Sequence, residues 1–105
     1  MEKITIDKDI RKAQTPPASF YTDQVWFDNS KEPVFETTWQ YAADASEVVE
    51  PLTQLPFSYM PDLIEEPLLI CTDKSGASRC MSNVCTHRGK VLVEEKRKNR
   101  TINCG

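Results

Sequence analysis

The pattern of hydrophobic and polar positions changes near residue 39, from helical spacing to runs of strand length. Within residues 20–38, the apolar clusters VWF and VF recur about two helical turns apart. Thr22 and Ser30 are expected to cap two helix starts, and Pro33 interrupts the pattern between them. This segment is therefore predicted to form a kinked helix or two short helices, with its aromatic side chains in a core.

From residue 39 onward the apolar runs are typical of β-strands. The turn DKSGA contains the Asp, Ser and Gly of a hairpin connection, and EEKRKNR is expected to be a solvated connector. The predicted fold is mainly β: a small antiparallel β domain over residues 39–105, preceded by a helical segment, hence α+β overall. The expected strands are, in chain order, WQYAA, TQLPFSYM, PLLICT, ASRCMSNV and KVLVEE, followed by the short apolar stretch TINC.

Residues 1–19 are expected to form an extended arm, because Pro16 and Pro17 block regular helix or sheet pairing. The beginning of the chain resembles no export signal, and no apolar stretch approaches the roughly 20 residues that cross a bilayer. A cytoplasmic protein without a membrane partner is therefore predicted. The net charge of −3 and the pI of about 5.1 argue against nucleic acid as a partner.

Four cysteines occur, at positions 71, 80, 85 and 104. In a reducing cytosol they are expected to be free thiols, so metal ligation or simple burial is favoured over disulfides. Cys71 and Cys80 alternate with their neighbours in predicted strands. Both are therefore expected to be small buried hydrophobic residues.

The chemistry-bearing residues are Cys85, His87 and Cys104. In an extended loop, side chains two positions apart point to the same side, so Cys85 and His87 can reach a common object. Sixteen residues separate His87 from Cys104, enough for a hairpin that brings two loops together, each beside a glycine, Gly89 or Gly105. Thiolate with imidazole suits iron–sulfur or zinc. Three interpretations stay open from the residues alone: idle side chains, a metal clamp, or a zinc site completed by Cys80.

At these residues the chain resembles Rieske [2Fe–2S] proteins, whose pattern is Cys-x-His, a spacer of similar length, then Cys-x-x-His. NVCTHRG is similar to the first ligand loop of Rieske oxygenase large subunits. Upstream, PPASFYTD, TTWQYAA and PLLICTDKSGASRCMSNVCTHRG resemble the approach to that loop in the same order. The resemblance covers roughly residues 15–105. The family's last ligand, a histidine, is expected two positions after Gly105, where the printed sequence has stopped.

The resemblance implies a [2Fe–2S] cluster with Cys85 and Cys104 on one iron and His87 on the other. Neutral imidazole ligands would raise the reduction potential above that of four-cysteine clusters. The two neighbouring glycines would let the loops close over the sulfides. Arg88 would lie beside the cluster, or form a surface ion pair instead. With three of four ligands, the 105-residue chain alone is expected to hold the cluster poorly.

The implied function is that of the electron-transfer portion of a Rieske oxygenase large subunit. Such a subunit would take electrons from a reductase or ferredoxin. A mononuclear Fe(II) in a separate catalytic domain would then support O₂-dependent hydroxylation of an aromatic or other small organic substrate. The parent would be a homo-oligomer, expected as a trimer. The alternatives are a freestanding Rieske ferredoxin-like carrier, which the long helical segment disfavours, and a zinc-binding module.

Overall fold

The computed structural model describes residues 3–105, so the first two residues of the expected arm lie outside the described part. The chain divides into two compact units, the first running to Trp39 and the second comprising Gln40–Gly105. Among the described residues, no helix has the length and apolar character needed to cross a bilayer.

The first unit contains two short α-helices, α1 (Ala18–Thr22) and α2 (Gln24–Ser30), which lead into a π-helix (Lys31–Glu36). Asp23 lies between the first two and caps α2, because its carboxylate accepts the Val25 N–H at 2.9 Å. The expected cap Thr22 is instead the last residue of α1, where its hydroxyl donates to the Ala18 carbonyl. The carboxylate one residue later is the better placed acceptor.

Ser30 does not cap the next helical segment as expected. Its hydroxyl donates backward to the Phe27 carbonyl at 2.7 Å and makes no capping hydrogen bond to the segment that follows. The chain continues from α2 without a break into the π-helix, which contains Pro33. Proline supplies no N–H and crowds the carbonyl four residues earlier, which explains why the helix widens here.

The prediction that the helical aromatics form a core is wrong for this unit. No residue of the three helical segments is buried, and Tyr21 is 66% exposed. Phe20 packs against two nearby rings, with its ring centroid 5.2 Å from those of both Tyr21 and Trp26. Helices of five to seven residues offer too little surface to enclose such side chains within their own unit.

The second unit is built on one four-stranded antiparallel sheet in the order β3-β2-β1-β4. The mainly β, antiparallel prediction is confirmed. Three of its strands match predicted runs, whereas WQYAA and TINC form no strand, and KVLVEE contributes only the isolated bridge between Val84 and Val91. The strands are β1 (Thr53–Ser58), β2 (Pro67–Thr72), β3 (Ser78–Ser82) and β4 (Arg97–Lys98).

Exposure explains why WQYAA forms no strand, and position at the edge of the sheet explains why β1 accommodates a proline. WQYAA begins with the fully exposed Trp39, and none of its five residues is buried. Pro56 lies inside β1, yet β4 pairs only with Thr53 and Gln54. Pro56 therefore lies beyond the end of β4, on an open stretch of edge where its missing N–H costs no ladder hydrogen bond.

The DKSGA turn forms the predicted hairpin between β2 and β3. The Asp73 carboxylate accepts the N–H groups of Ser75 and Ala77 at 2.8 and 3.1 Å, and Gly76 adopts a φ of +87°. Hydrogen bonds from the Ser75 hydroxyl, then from Arg79 and the Ala77 N–H, hold the pKa of Asp73 well below its ordinary value. The turn is therefore set by local side-chain chemistry that is visible in the sequence.

The core is small and unusually mixed. Its buried apolar residues are Leu63, Leu69, Ile70 and Val93, and its buried polar residues are Thr53, Gln54, Thr72 and Asn83. If the polar side chains of this small core had no hydrogen-bond partners, the free energy cost of burying them would cancel the stability gained from the buried apolar residues. All buried side-chain polar atoms of the described residues have partners.

Candidate metal centre

The first candidate ligand loop, residues 85–90, is closed by its own backbone. The Cys85 N–H donates to the Lys90 carbonyl at 2.8 Å, and the Gly89 N–H donates to the Cys85 carbonyl at 2.8 Å. Gly89 has a φ of +67°, a backbone conformation that glycine adopts without strain. A Cβ at this position would meet nothing within 4 Å, so the requirement for glycine is conformational.

The buried residue Asn83 joins the two backbone segments at the base of this loop. Its side-chain amide donates to the Val93 carbonyl at 2.7 Å, and its side-chain oxygen accepts the Val93 N–H at 2.9 Å. Its backbone adds a hydrogen bond to the Pro67 carbonyl and accepts one from Leu92. The side-chain amide pairs with the Val93 backbone as the backbone of a neighbouring strand would. The sequence analysis did not identify this role of Asn83.

The second candidate loop is reached through residues 97–101, which lie against the start of β1. The Asn99 N–H donates to the Leu52 carbonyl at 3.0 Å. The Gln54 side chain donates to the carbonyls of Asn99 and Thr101, both at 3.1 Å, and accepts the Arg97 Nε–H at 2.8 Å. This buried side chain was also missed, because its partners are more than 40 positions away in the sequence.

The structure brings the two cysteine sulfurs together. The neighbouring Cys104 side chain lowers the pKa of Cys85, and backbone N–H groups of His87 and Arg88 lower it further. The Cys85 side chain raises the pKa of Cys104, together with some loss of solvent and the Cys85 charge, while the Lys90 ammonium opposes that rise. Of these two thiols, Cys85 therefore ionises first as the pH rises.

Lys90 and Gly105 approach each other where the two loops meet. A Cβ at Gly105 would lie 3.3 Å from the Lys90 Nζ, a tight contact that the flexible lysine end could relieve. The lysine cation is thus held beside the cysteine pair. Its positive charge favours anionic sulfur at this position.

His87 lies in the same loop, with an exposed side chain and its backbone N–H donated to the Cys85 sulfur. Within residues 3–105, no three side chains among His, Cys, Asp and Glu are gathered so that they could hold one metal ion. A binuclear cluster spreads its ligands over two metals, so its donors need not converge on a single point. Paired soft thiolates with a nearby imidazole fit iron–sulfur chemistry.

Cys80 does not join this group, which removes the fourth ligand that a zinc site would need. It lies in β3, all five residues of which are exposed. The expectation that Cys80 is buried is wrong, because β3 is the edge strand of the sheet. Cys71 is half-buried, and that burial raises its pKa. All four cysteines are free thiols.

The side chain of Arg88 forms no ion pair with any residue of the part of the chain that the structure describes. The surface ion pair considered for it is therefore not found. Its backbone N–H, by contrast, lies against the Cys85 sulfur.

Comparison with known families and proteins matches residues 38–105 to the Rieske [2Fe-2S] domain. The carnitine monooxygenase oxygenase subunit of Escherichia coli (strain K12) is 35% identical over 92 residues, which cover 88% of this chain and 24% of that protein. The chloroplastic choline monooxygenase of Spinacia oleracea is 32% identical over 81 residues, covering 77% and 18% respectively. The chain thus spans about a quarter or less of the length of these relatives.

Solved structures agree on the fold. A quaternary ammonium Rieske monooxygenase, described for carnitine oxidation and inter-subunit electron transfer, has a TM-score of 0.76 at 32% identity. The match covers 88% of this chain and 24% of that one. Naphthalene 1,2-dioxygenase has a TM-score of 0.62 at 23% identity over 74% of this chain and 17% of that one, a likeness of fold. The Rieske-like β fold expected from the sequence is confirmed.

Asn83→Leu should destabilise the metal-free protein by about 2 kcal/mol or more, since the Val93 N–H and carbonyl would stay buried without partners. Urea unfolding followed by circular dichroism measures this change. Asn103→Leu, at an exposed position, is the matched control and should change stability by less than about 0.5 kcal/mol. Equal unfolding midpoints for the two variants would contradict the role assigned to Asn83.

In the metal-free protein, iodoacetamide should alkylate Cys85 faster than Cys104 near neutral pH, although Cys104 is the more exposed residue. Below both pKa values, the lowered pKa of Cys85 gives it the larger thiolate fraction. Cys104→Ala removes the neighbour that lowers the pKa of Cys85, raises that pKa and should slow the alkylation of Cys85 several-fold. Peptide mass spectrometry measures these rates.

Cys80→Ala is the control for this experiment, because Cys80 lies in β3 and its loss should leave the Cys85 rate unchanged. A Cys85 rate that does not respond to Cys104→Ala would show that the two sulfurs do not interact.

Proposed function

The chain belongs to the Rieske [2Fe–2S] domain family, and we propose that it is the electron-transfer portion of a Rieske-type oxygenase large subunit. The observation that carries this proposal is the meeting of two loops, each presenting a cysteine sulfur at one place. The relatives named above, a carnitine monooxygenase oxygenase subunit and a choline monooxygenase, support the oxygenase context.

In the proposed centre, Cys85 and Cys104 hold one iron, and His87 holds the other together with a histidine outside residues 1–105. The proximity of the two cysteine side chains supports the first assignment, and the place of His87 in the Cys85 loop supports the second. When bound, such a cluster accepts and releases one electron at a potential on the order of hundreds of millivolts above that of four-cysteine ferredoxins.

Neighbouring groups of the protein favour negative charge on the Cys85 and Cys104 sulfurs. The N–H groups of His87 and Arg88 donate to the Cys85 sulfur, and the Gly89 turn holds them in that direction. Lys90 supplies a cation near Cys104. Donors aimed at sulfur stabilise the thiolate and tune the potential of an iron–sulfur centre. These residues therefore both favour ligation and influence electron affinity.

For the whole protein, we propose O₂-dependent oxidation of a small organic substrate at a mononuclear Fe(II) in a separate domain. The electron donor would be a reductase or ferredoxin. The names of the relatives support a quaternary ammonium substrate first, and an aromatic acid second through the 2-halobenzoate 1,2-dioxygenase large subunit of Burkholderia cepacia, 32% identical over 85 residues.

A homotrimer is the proposed assembly, and inter-subunit electron transfer in the carnitine-oxidising relative supports an oligomer. The proposed organisation of this chain is an arm at 1–19, a helical segment at 20–38 and the Rieske domain at 39–105. A freestanding ferredoxin-like carrier is the alternative. A gene product that consumes no O₂ with any tested substrate while its cluster remains reducible would favour that carrier.

The complete gene product, supplied with iron and sulfide, should contain two irons and two sulfides per chain. Cys85→Ala and Cys104→Ala should each abolish this content, and His87→Ala should reduce it sharply, because each removes a proposed ligand. Metal analysis and acid-labile sulfide assay measure the content.

Cys80→Ala is the matched control for these variants. It removes a free thiol of the same β unit that lies away from the two loops, and it should keep the full iron and sulfide content. Full content in Cys85→Ala, or stoichiometric zinc without iron in the unaltered protein, would contradict the proposed function.

A further inference from the structure

Gln54 is a buried polar residue whose side chain uses both ends of its amide. It lies in β1 and is 4% exposed. The nitrogen donates two hydrogen bonds, to the carbonyls of Asn99 and Thr101, and the oxygen accepts one from Arg97. One side chain of the sheet thus contacts three alternate residues of a single distant segment.

That segment has few other ties to the sheet. Strand β4 is two residues long and ends at Lys98. Beyond it, the backbone bond from Asn99 to Leu52 is the remaining ladder-like contact, and residues 101–105 form no regular structure. Among the described residues, Gln54 therefore supplies the last hydrogen bond between the sheet and this segment before Cys104.

Building on the proposed cluster-binding function, we propose that Gln54 is a positioning residue that sets the place of Cys104 relative to Cys85. Thr101 is three residues before Cys104, so a shift of its carbonyl is transmitted to the thiol within one short, unpaired stretch. Cys85 needs no such support from Gln54, because its loop is closed by its own backbone and by Asn83.

An amide is required here because its nitrogen donates hydrogen bonds and its oxygen accepts one. Methionine would preserve the length of the side chain and leave two carbonyls and a guanidinium without this partner. Glutamate would keep the acceptor for Arg97, yet would place a carboxylate against the carbonyls of Asn99 and Thr101, where the amide now donates. Comparing Gln54→Met with Gln54→Glu therefore separates the donated bonds from the accepted one.

The experiment measures cluster loss from the complete gene product after a chelator is added, by the decay of its visible absorption. Both Gln54→Met and Gln54→Glu should lose the cluster roughly tenfold faster than the unaltered protein, the effect expected when support behind a metal ligand is removed. The matched control is Thr72→Val. It removes a similarly buried side-chain donor, bonded to the Val48 carbonyl, and should not accelerate cluster loss.

A second measurement does not need the cluster. Hydrogen exchange of the metal-free protein should speed up at residues 97–105 in both Gln54 variants, and stay unchanged there in Thr72→Val. If Gln54→Glu loses the cluster as slowly as the unaltered protein, or shows hydrogen exchange at residues 97–105 that is equally slow, the inference is overturned. The donated hydrogen bonds would then be dispensable. If Gln54→Met does not fold, Gln54→Glu decides alone.

The two proposals fail in different ways. If the unaltered protein takes up no iron and sulfide, the proposed function fails. Exchange at residues 97–105 then still decides whether Gln54 orders the path to Cys104. If the unaltered protein holds the cluster and the Gln54 variants hold it equally well, the positioning role is overturned while the proposed function stands.

Discussion

Two buried side-chain amides fix the backbone that leads to the paired thiols. Asn83 joins the two sides of the first loop through Val93, and Gln54 joins the sheet to the segment before Cys104. A buried amide without partners is costly, so each side chain is confined to the arrangement that satisfies it. The positions of the two sulfurs follow from these hydrogen bonds more than from apolar packing.

The composition of the core shows why hydrogen bonds carry this role. The described part of the chain buries as many polar as apolar residues, and its sheet has an exposed edge strand, β3. A small sheet of this kind gains limited stability from apolar area. Directional bonds nevertheless specify geometry strongly, because a shifted register would leave polar groups unpaired. A centre with ligands on two loops needs that kind of precision.

Local chemistry made part of this structure predictable. The strands β1 to β3 follow from apolar runs, and the turn between β2 and β3 follows from Asp73 and Gly76. The sequence also pointed to Cys85 and Cys104, which the structure places near each other, although β4, the strand between them, pairs with β1 and forms no hairpin with a neighbouring strand of that segment. Asn83 and Gln54 could not be found in this way, because each looks like an ordinary polar residue until its distant partners are known. The exposed helical aromatics were misjudged because spacing alone does not reveal whether a face is covered.

The proposed centre contains two irons with unlike ligands, thiolates on one and imidazoles on the other. The Mössbauer spectrum of the oxidised complete gene product, enriched in the Mössbauer isotope of iron, observes each iron separately. Two quadrupole doublets of equal area are expected, one for the iron held by Cys85 and Cys104 and one for the iron held by His87. A single doublet from two equivalent irons, or the absence of any iron–sulfur signal, would contradict that assignment.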